Sequence, residues 1–145
     1  MDQLKFEAAL DQVTSTEPRY DRAAYYFLRD ALDHTLNERK KTTGETGHIS
    51  GQQLSEGIRR YALKQFGPMV PSVFEYWNVH STEDFGVMVF KLVEVGIFGK
   101  TERDSIDDFK GLYNFHDAFV APYLPESPRM TARRMSKESP VRELN

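Results

Sequence analysis

HISGQQLSEGIRRYALKQFGPMVPSVFEYWNVHSTEDFGVMVFKLVEVGIFGK, residues 48–100, carries the starts and stops of three helices in its own letters. Ser50 and Gln53 stand at capping-box spacing, where each side chain satisfies the other's free backbone N–H, and Ile49 and Leu54 occupy the flanking hydrophobic-staple positions. Leu54, Ile58, Tyr61, Ala62 and Phe66 then repeat at helical period as one buried stripe. Gly67 supplies a left-handed stop, and Pro68 forbids continuation. A shorter helix is predicted over Val70–Trp77, with Pro71 tolerated in its first turn. Ser81 opens the third, and Asp84 three residues on complements its exposed amides. Phe85, Met88, Val89, Leu92 and Val93 form its core face. Gly96 ends it, with Ile97 folding back on Leu92 as in a Schellman motif. Val87 and Phe90 make its other side apolar as well. A helix apolar on two sides is buried on both, or offers one to a partner.

Working outward, Phe6, Ala9, Leu10 and Val13 place a short helix over Gln3–Val13. Asp21 caps a longer one whose apolar positions Ala24, Phe27, Leu28, Ala31, Leu32, Thr35 and Leu36 carry it to about Arg39. KKTTGETG, 40–47, reads as a loop. Beyond Gly96, residues 97–119 hold the breakers Gly99 and Gly111 and the apolar anchors Phe109, Leu112, Tyr113, Phe115 and Phe119. Helix, helix, tight turn, helix and hairpin is the order of a winged helix-turn-helix. The expected fold is therefore mainly α: one helical bundle over residues 1–121 with a winged-helix-like core, in which 97–115 is either a small β-hairpin forming the wing or an irregular loop pinned by its aromatics. Residues 122–145, polar and proline-bearing, read as a disordered tail.

The chain has 145 residues, no cysteine and a formal charge of −3. That length holds one domain with a real core. The lack of cysteine excludes disulfides, thiolate chemistry and sulfur-ligated zinc. No apolar run has the length of a bilayer span, and MDQLKFEAAL lacks the basic start and apolar run of a signal peptide, so a cytoplasmic address is expected. The charge is uneven. Residues 122–145 hold five basic residues and three acids, whereas Ser81–Phe119 holds four basic residues and eight acids.

That balance bears on the fold's commonest task. DNA readers present Arg, Lys, Asn or Gln from the first turns of the recognition helix. Here those turns offer Glu83, Asp84, Gly86 and Val87, which repel phosphates. The leading expectation is a non-enzymatic protein–protein interaction or regulatory module. Its contact surface would combine Met69, Phe74 and Trp77, lining a groove suited to a partner helix, with Val87, Phe90 and Lys91. The alternative is a nucleic-acid-binding regulator using Arg59, Arg60 and Lys64 together with Arg133 and Arg134 of the tail. A third is a metal-dependent enzyme at Glu102, Asp104, Asp107 and Asp108, whose oxygens suit Ca²⁺ or Mg²⁺. That run lacks the EF-hand glycine and closing glutamate, and a solvated loop with an aspartate capping a turn is the simpler reading. His34, His48, His80 and His116 show no metal-ligand spacing, and no phosphate loop, nucleophile elbow or HExxH occurs. No catalytic residue, metal or cofactor is assigned.

The segments PRYDRAAYYFLRDALDHT (18–35), GHISGQQLSEGIRRYALKQFGPM (47–69) and WNVHSTEDFGVMVFKLVEVGIFGKTERDSIDDFKGLYNFHDAF (77–119) resemble a family of small conserved hypothetical proteins from planctomycete- and verrucomicrobia-type bacteria. GHISG, FGPM and STEDFG are the most specific blocks. The resemblance implies one conserved bacterial domain and brings no activity or site residue with it.

Overall fold

Asp21 accepts a hydrogen bond from the Ala23 N–H at 2.9 Å and so starts the longest helix of the protein. The structure is a computed structural model, and residues 3–125 are described. Helix α1 spans Gln3–Thr16 and α2 spans Arg22–Thr43, which Gly44 closes in the left-handed conformation, a turn later than the apolar pattern indicates. Helix α3 spans Gly51–Phe66, α4 Val70–Tyr76 and α5 Thr82–Glu94. The Ser50–Gln53 capping box forms as the spacing requires, with bonds of 2.8 and 3.1 Å. Gly67 has a positive φ of 53°, but its ψ of −131° lies outside the left-handed helical region. The chain passes straight into a 3₁₀ turn, Gly67–Met69, and on into α4. After α5, Gly96 turns the chain at φ 80° and the Ile97 N–H reaches Leu92 O at 3.0 Å, the long bond of a Schellman motif.

The β-hairpin is not there. Among the described residues no strand occurs, and 97–125 is built of loops, a 3₁₀ turn at Ile106–Phe109, one π-helical turn at His116–Val120 and a final 3₁₀ turn at Ala121–Tyr123. The winged-helix expectation therefore fails at the wing, and the reason is local. Asp108 accepts from the Ser105 N–H at 3.0 Å, while Ser105 Oγ accepts from the Asp107 N–H at 3.2 Å. Such side-chain bonds offer the backbone a tight turn in place of a ladder. The turn aims Phe109 inward, where it is 2 % exposed. Its ring lies between two helices at glycines: a Cβ on Gly51 of α3 would come within 2.8 Å of Phe109 Cε1, and one on Gly86 of α5 within 3.0 Å of its Cβ. A single aromatic plug thus takes the place of a sheet in joining α3 to α5.

Helices α2 and α3 cross just as closely at Gly57, where an added Cβ would stand 1.9 Å from Thr35 Oγ1. Thr35, itself buried, returns its hydroxyl to Ala31 O at 2.7 Å. The rest of the core is aromatic. Phe74 of α4 meets Phe27, Trp77, Phe85, Phe115 and Phe119, with ring centroids 5.4–6.1 Å apart, in the offset and edge-on arrangements that ring quadrupoles favour. The expected boundary after residue 121 falls inside the last 3₁₀ turn. The expected tail disorder concerns residues that, beyond Pro125, lie outside the described part.

Candidate functional site

The proposed groove around α4 does not exist as a surface. Phe74 is 2 % and Trp77 9 % exposed, so both belong to the core, while Met69 lies exposed on the outside at 57 %. On α5 the three candidates part company. Val87 is half-buried and packs against the core. Lys91 pairs with Glu94 at 3.4 Å. Phe90 alone borders a cleft.

That cleft, of about 350 Å³, runs between α2, α5, the loop before α3 and the segment after α5. It is lined by Val89, Phe90 and Val93 of α5, by Leu32 and Leu36 of α2, and by Ile97 and Phe98 of the segment after α5. Of the second apolar side of α5, Phe90 lines this cavity, whereas Val87 packs against the core. Val93, which periodicity assigns to the core face, is half-buried, lies outside the core cluster and borders the cleft. Phe109, the plug between α3 and α5, also lines it, so the turn that replaces the wing helps to build the cleft.

Polar groups sit at the rim. His48 Nε2 lies 2.6 Å from Asp104 Oδ2, tying the loop before α3 to the segment after α5. The His48 carbonyl accepts from Arg39 Nη1 at 2.7 Å, which holds that loop against α2. Asp104 also accepts the Thr101 N–H at 2.7 Å. Burial works to raise the Asp104 carboxyl, but the Thr101 amide and the charge of His48 outweigh it and hold it below its ordinary 3.8. A carboxyl that releases its proton more readily folded than unfolded stabilises above its ordinary pKa, and this contribution is lost as pH falls through the folded value. Asp104→Asn is thus expected to flatten the acid limb of the stability curve below about pH 4. Urea titrations at stepped pH would read this, and an acid limb unchanged from the wild type would contradict it.

Two of the four acids of the expected metal loop have structural tasks. Asp104 pairs with His48, Asp108 caps Ser105, and among the described residues no group of three or more His, Asp or Glu is placed to hold a metal ion. Asp84, read as a repulsive acid at the head of a recognition helix, is likewise occupied. It accepts from the His80 N–H at 2.8 Å, the Ser81 N–H at 3.2 Å and the Tyr20 hydroxyl, so it fastens the start of α2 to the start of α5. Burial first, and then the bond to Asp84, push the Tyr20 hydroxyl well above the usual phenol range.

The basic face of α3 is largely neutralised. Arg59 makes a two-pronged pair with Glu56 at 2.9 and 2.5 Å, and Arg60 reaches Glu56 at 3.3 Å and Glu38 at 3.4 Å. Lys64 is exposed. Arg133 and Arg134 lie outside the described residues. A cation already paired with a carboxylate releases fewer counterions on meeting phosphate, so this face is a weak polyanion site.

Sequence reasoning missed the cleft itself and the His48–Asp104 pair. The signal present was GHISG, in which Gly51 admits Phe109 and His48 and Ile49 border the cavity. Compared with protein-family models, with curated proteins and with solved structures, the chain matches none. Among the described residues no helix is long and apolar enough to cross a membrane.

Proposed function

We propose that this protein is a non-enzymatic interaction module of the cytoplasm. Its site is the cleft between α2 and α5, and its partner is a protein segment presenting one apolar side chain flanked by basic residues. The observation that carries the reading is Val93 facing an apolar cleft rather than the core, beside Val89 and Phe90. Apolar walls with a few polar groups at the rim are the usual make-up of a binding cavity, and 350 Å³ falls within the size range of such sites. The rim supports the charge preference. Asp33, Asp104 and Asp108 border the cleft, and of its two lysine and arginine residues, Arg29 is engaged with Asp30 at 3.4 Å and lies over the Phe6 ring.

The test is a fluorescence titration of the full chain at about 0.5 M salt with Nile red, an uncharged apolar dye. Val93→Asp is expected to abolish the rise in emission while leaving the helical circular dichroism intact, because Val93 is not a core residue. Met69→Asp is expected to leave dye binding unchanged. Dye binding that survives Val93→Asp, or that disappears with Met69→Asp, would overturn the proposal.

A further inference from the structure

The part of the chain beyond Pro125 contains a segment of the chemistry that the cleft fits. Residues 129–137 read RMTARRMSK, with four basic residues, no acid and two methionines. Methionine is unbranched and polarizable, the side chain that adapts best to an irregular apolar cavity. Around the cleft acids outnumber cations. Asp33, Asp104 and Asp108 line it against Arg29 and Lys100, and the exposed Glu102 and Asp107 flank it on the same segment against Arg103.

Geometry selects between the methionines. Tyr123 Oη stands 3.9 Å from where a Cβ on Gly67 would be, so the chain leaves the described fold beside the C-terminal end of α3. The cleft is bordered by Gly51 at the opposite end of that helix. Sixteen helical residues separate these points by about 24 Å. From Pro125 the five residues to Met130 reach about 17 Å at most, and the ten to Met135 about 35 Å. Only Met135 spans the distance with slack.

We propose that residues 129–137 of this same chain occupy the cleft, with Met135 in the apolar cavity and Arg133, Arg134 and Lys137 against its acidic rim. A partner then has to displace this segment to bind. The inference rests on the cleft being the binding site, as proposed above.

The chain has no cysteine, so Ser136→Cys carries a single nitroxide label beside an unaltered Met135. In ¹⁵N spectra of the labelled full chain, the amide signals of Val89, Val93 and Ile97 are expected to lose most of their intensity, and that of Val13 to keep it. Adding R133E and R134E, or raising salt to about 0.5 M so that the Debye length shrinks, is expected to restore the lost signals. Intensity lost nowhere, or lost around Met69 and Tyr76, would overturn the proposal. Adding 2-naphthol separates the two readings. If it shifts Val93 and Ile97 while the label leaves them untouched, the cleft stands and the tail assignment falls. If neither acts on them, both fall.

Discussion

Phe109→Ala is expected to destabilise the protein by about 3–5 kcal/mol, the largest loss of any single core truncation proposed for this chain. The cost combines the apolar area returned to water with the cavity left behind. Collapse cannot fill that cavity, since the plug sits between two helices brought together at Gly51 and Gly86. Because Phe109 also lines the cleft, the same substitution is expected to weaken Nile red binding in the fraction that stays folded. Urea denaturation followed by circular dichroism measures the first effect. Ile106→Ala is the control, at a neighbouring position in the same 3₁₀ turn that is 44 % exposed, and is expected to cost well under 1 kcal/mol. Equal effects at the two positions would remove the plug from the account.

Gly57→Ala is expected to cost about 2 kcal/mol even though alanine is the better helix former by about 1 kcal/mol. The reason is steric. An added Cβ would overlap Thr35 Oγ1 at 1.9 Å and crowd Thr35 Cγ2 at 2.7 Å, and both atoms belong to a side chain buried in the α2–α3 crossing. Thr35→Ala removes the two closest atoms and is expected to recover part of the loss in the double variant. The single variants should therefore not add, as expected of residues in contact. Thermal denaturation of the four proteins completes the cycle, and strict additivity would show that α2 and α3 do not approach at Gly57.

These two sites mark where the sequence was legible and where it was not. Caps and stops are local chemistry: Asp21, Ser50 with Gln53, Asp84 and Gly96 all act within a few residues of themselves, and each ends up where its spacing indicates. The aromatic residues of 97–119 were legible as anchors but not as a helical turn. Alternation weakened by glycine is as compatible with a hairpin as with an inward-aimed 3₁₀ plug, and the choice fell to Ser105 and Asp108. Gly57 and Gly86 lie inside helices, where periodicity treats glycine only as a weak position. Their importance arises from what crosses them, which is tertiary information. The same holds for the functional surface. Phe74 and Trp77 look like a groove in one dimension because nothing in their own segment announces that Phe27, Phe85 and Phe119 will cover them. The second apolar side of α5, Val87 with Phe90, divides between two surroundings: Val87 packs against the core, and Phe90 borders a cleft that Leu32 and Leu36 of α2 also line.

The most direct measurement is the set of intermolecular nuclear Overhauser effects between 2-naphthol and the methyl groups of the full chain at high salt. Cross-peaks are expected from the naphthol ring to the methyls of Val89, Val93 and Ile97 and to those of Leu32 and Leu36 of α2. Cross-peaks confined to Met69 and Leu124, or none at all, would show that the cleft is not the binding site.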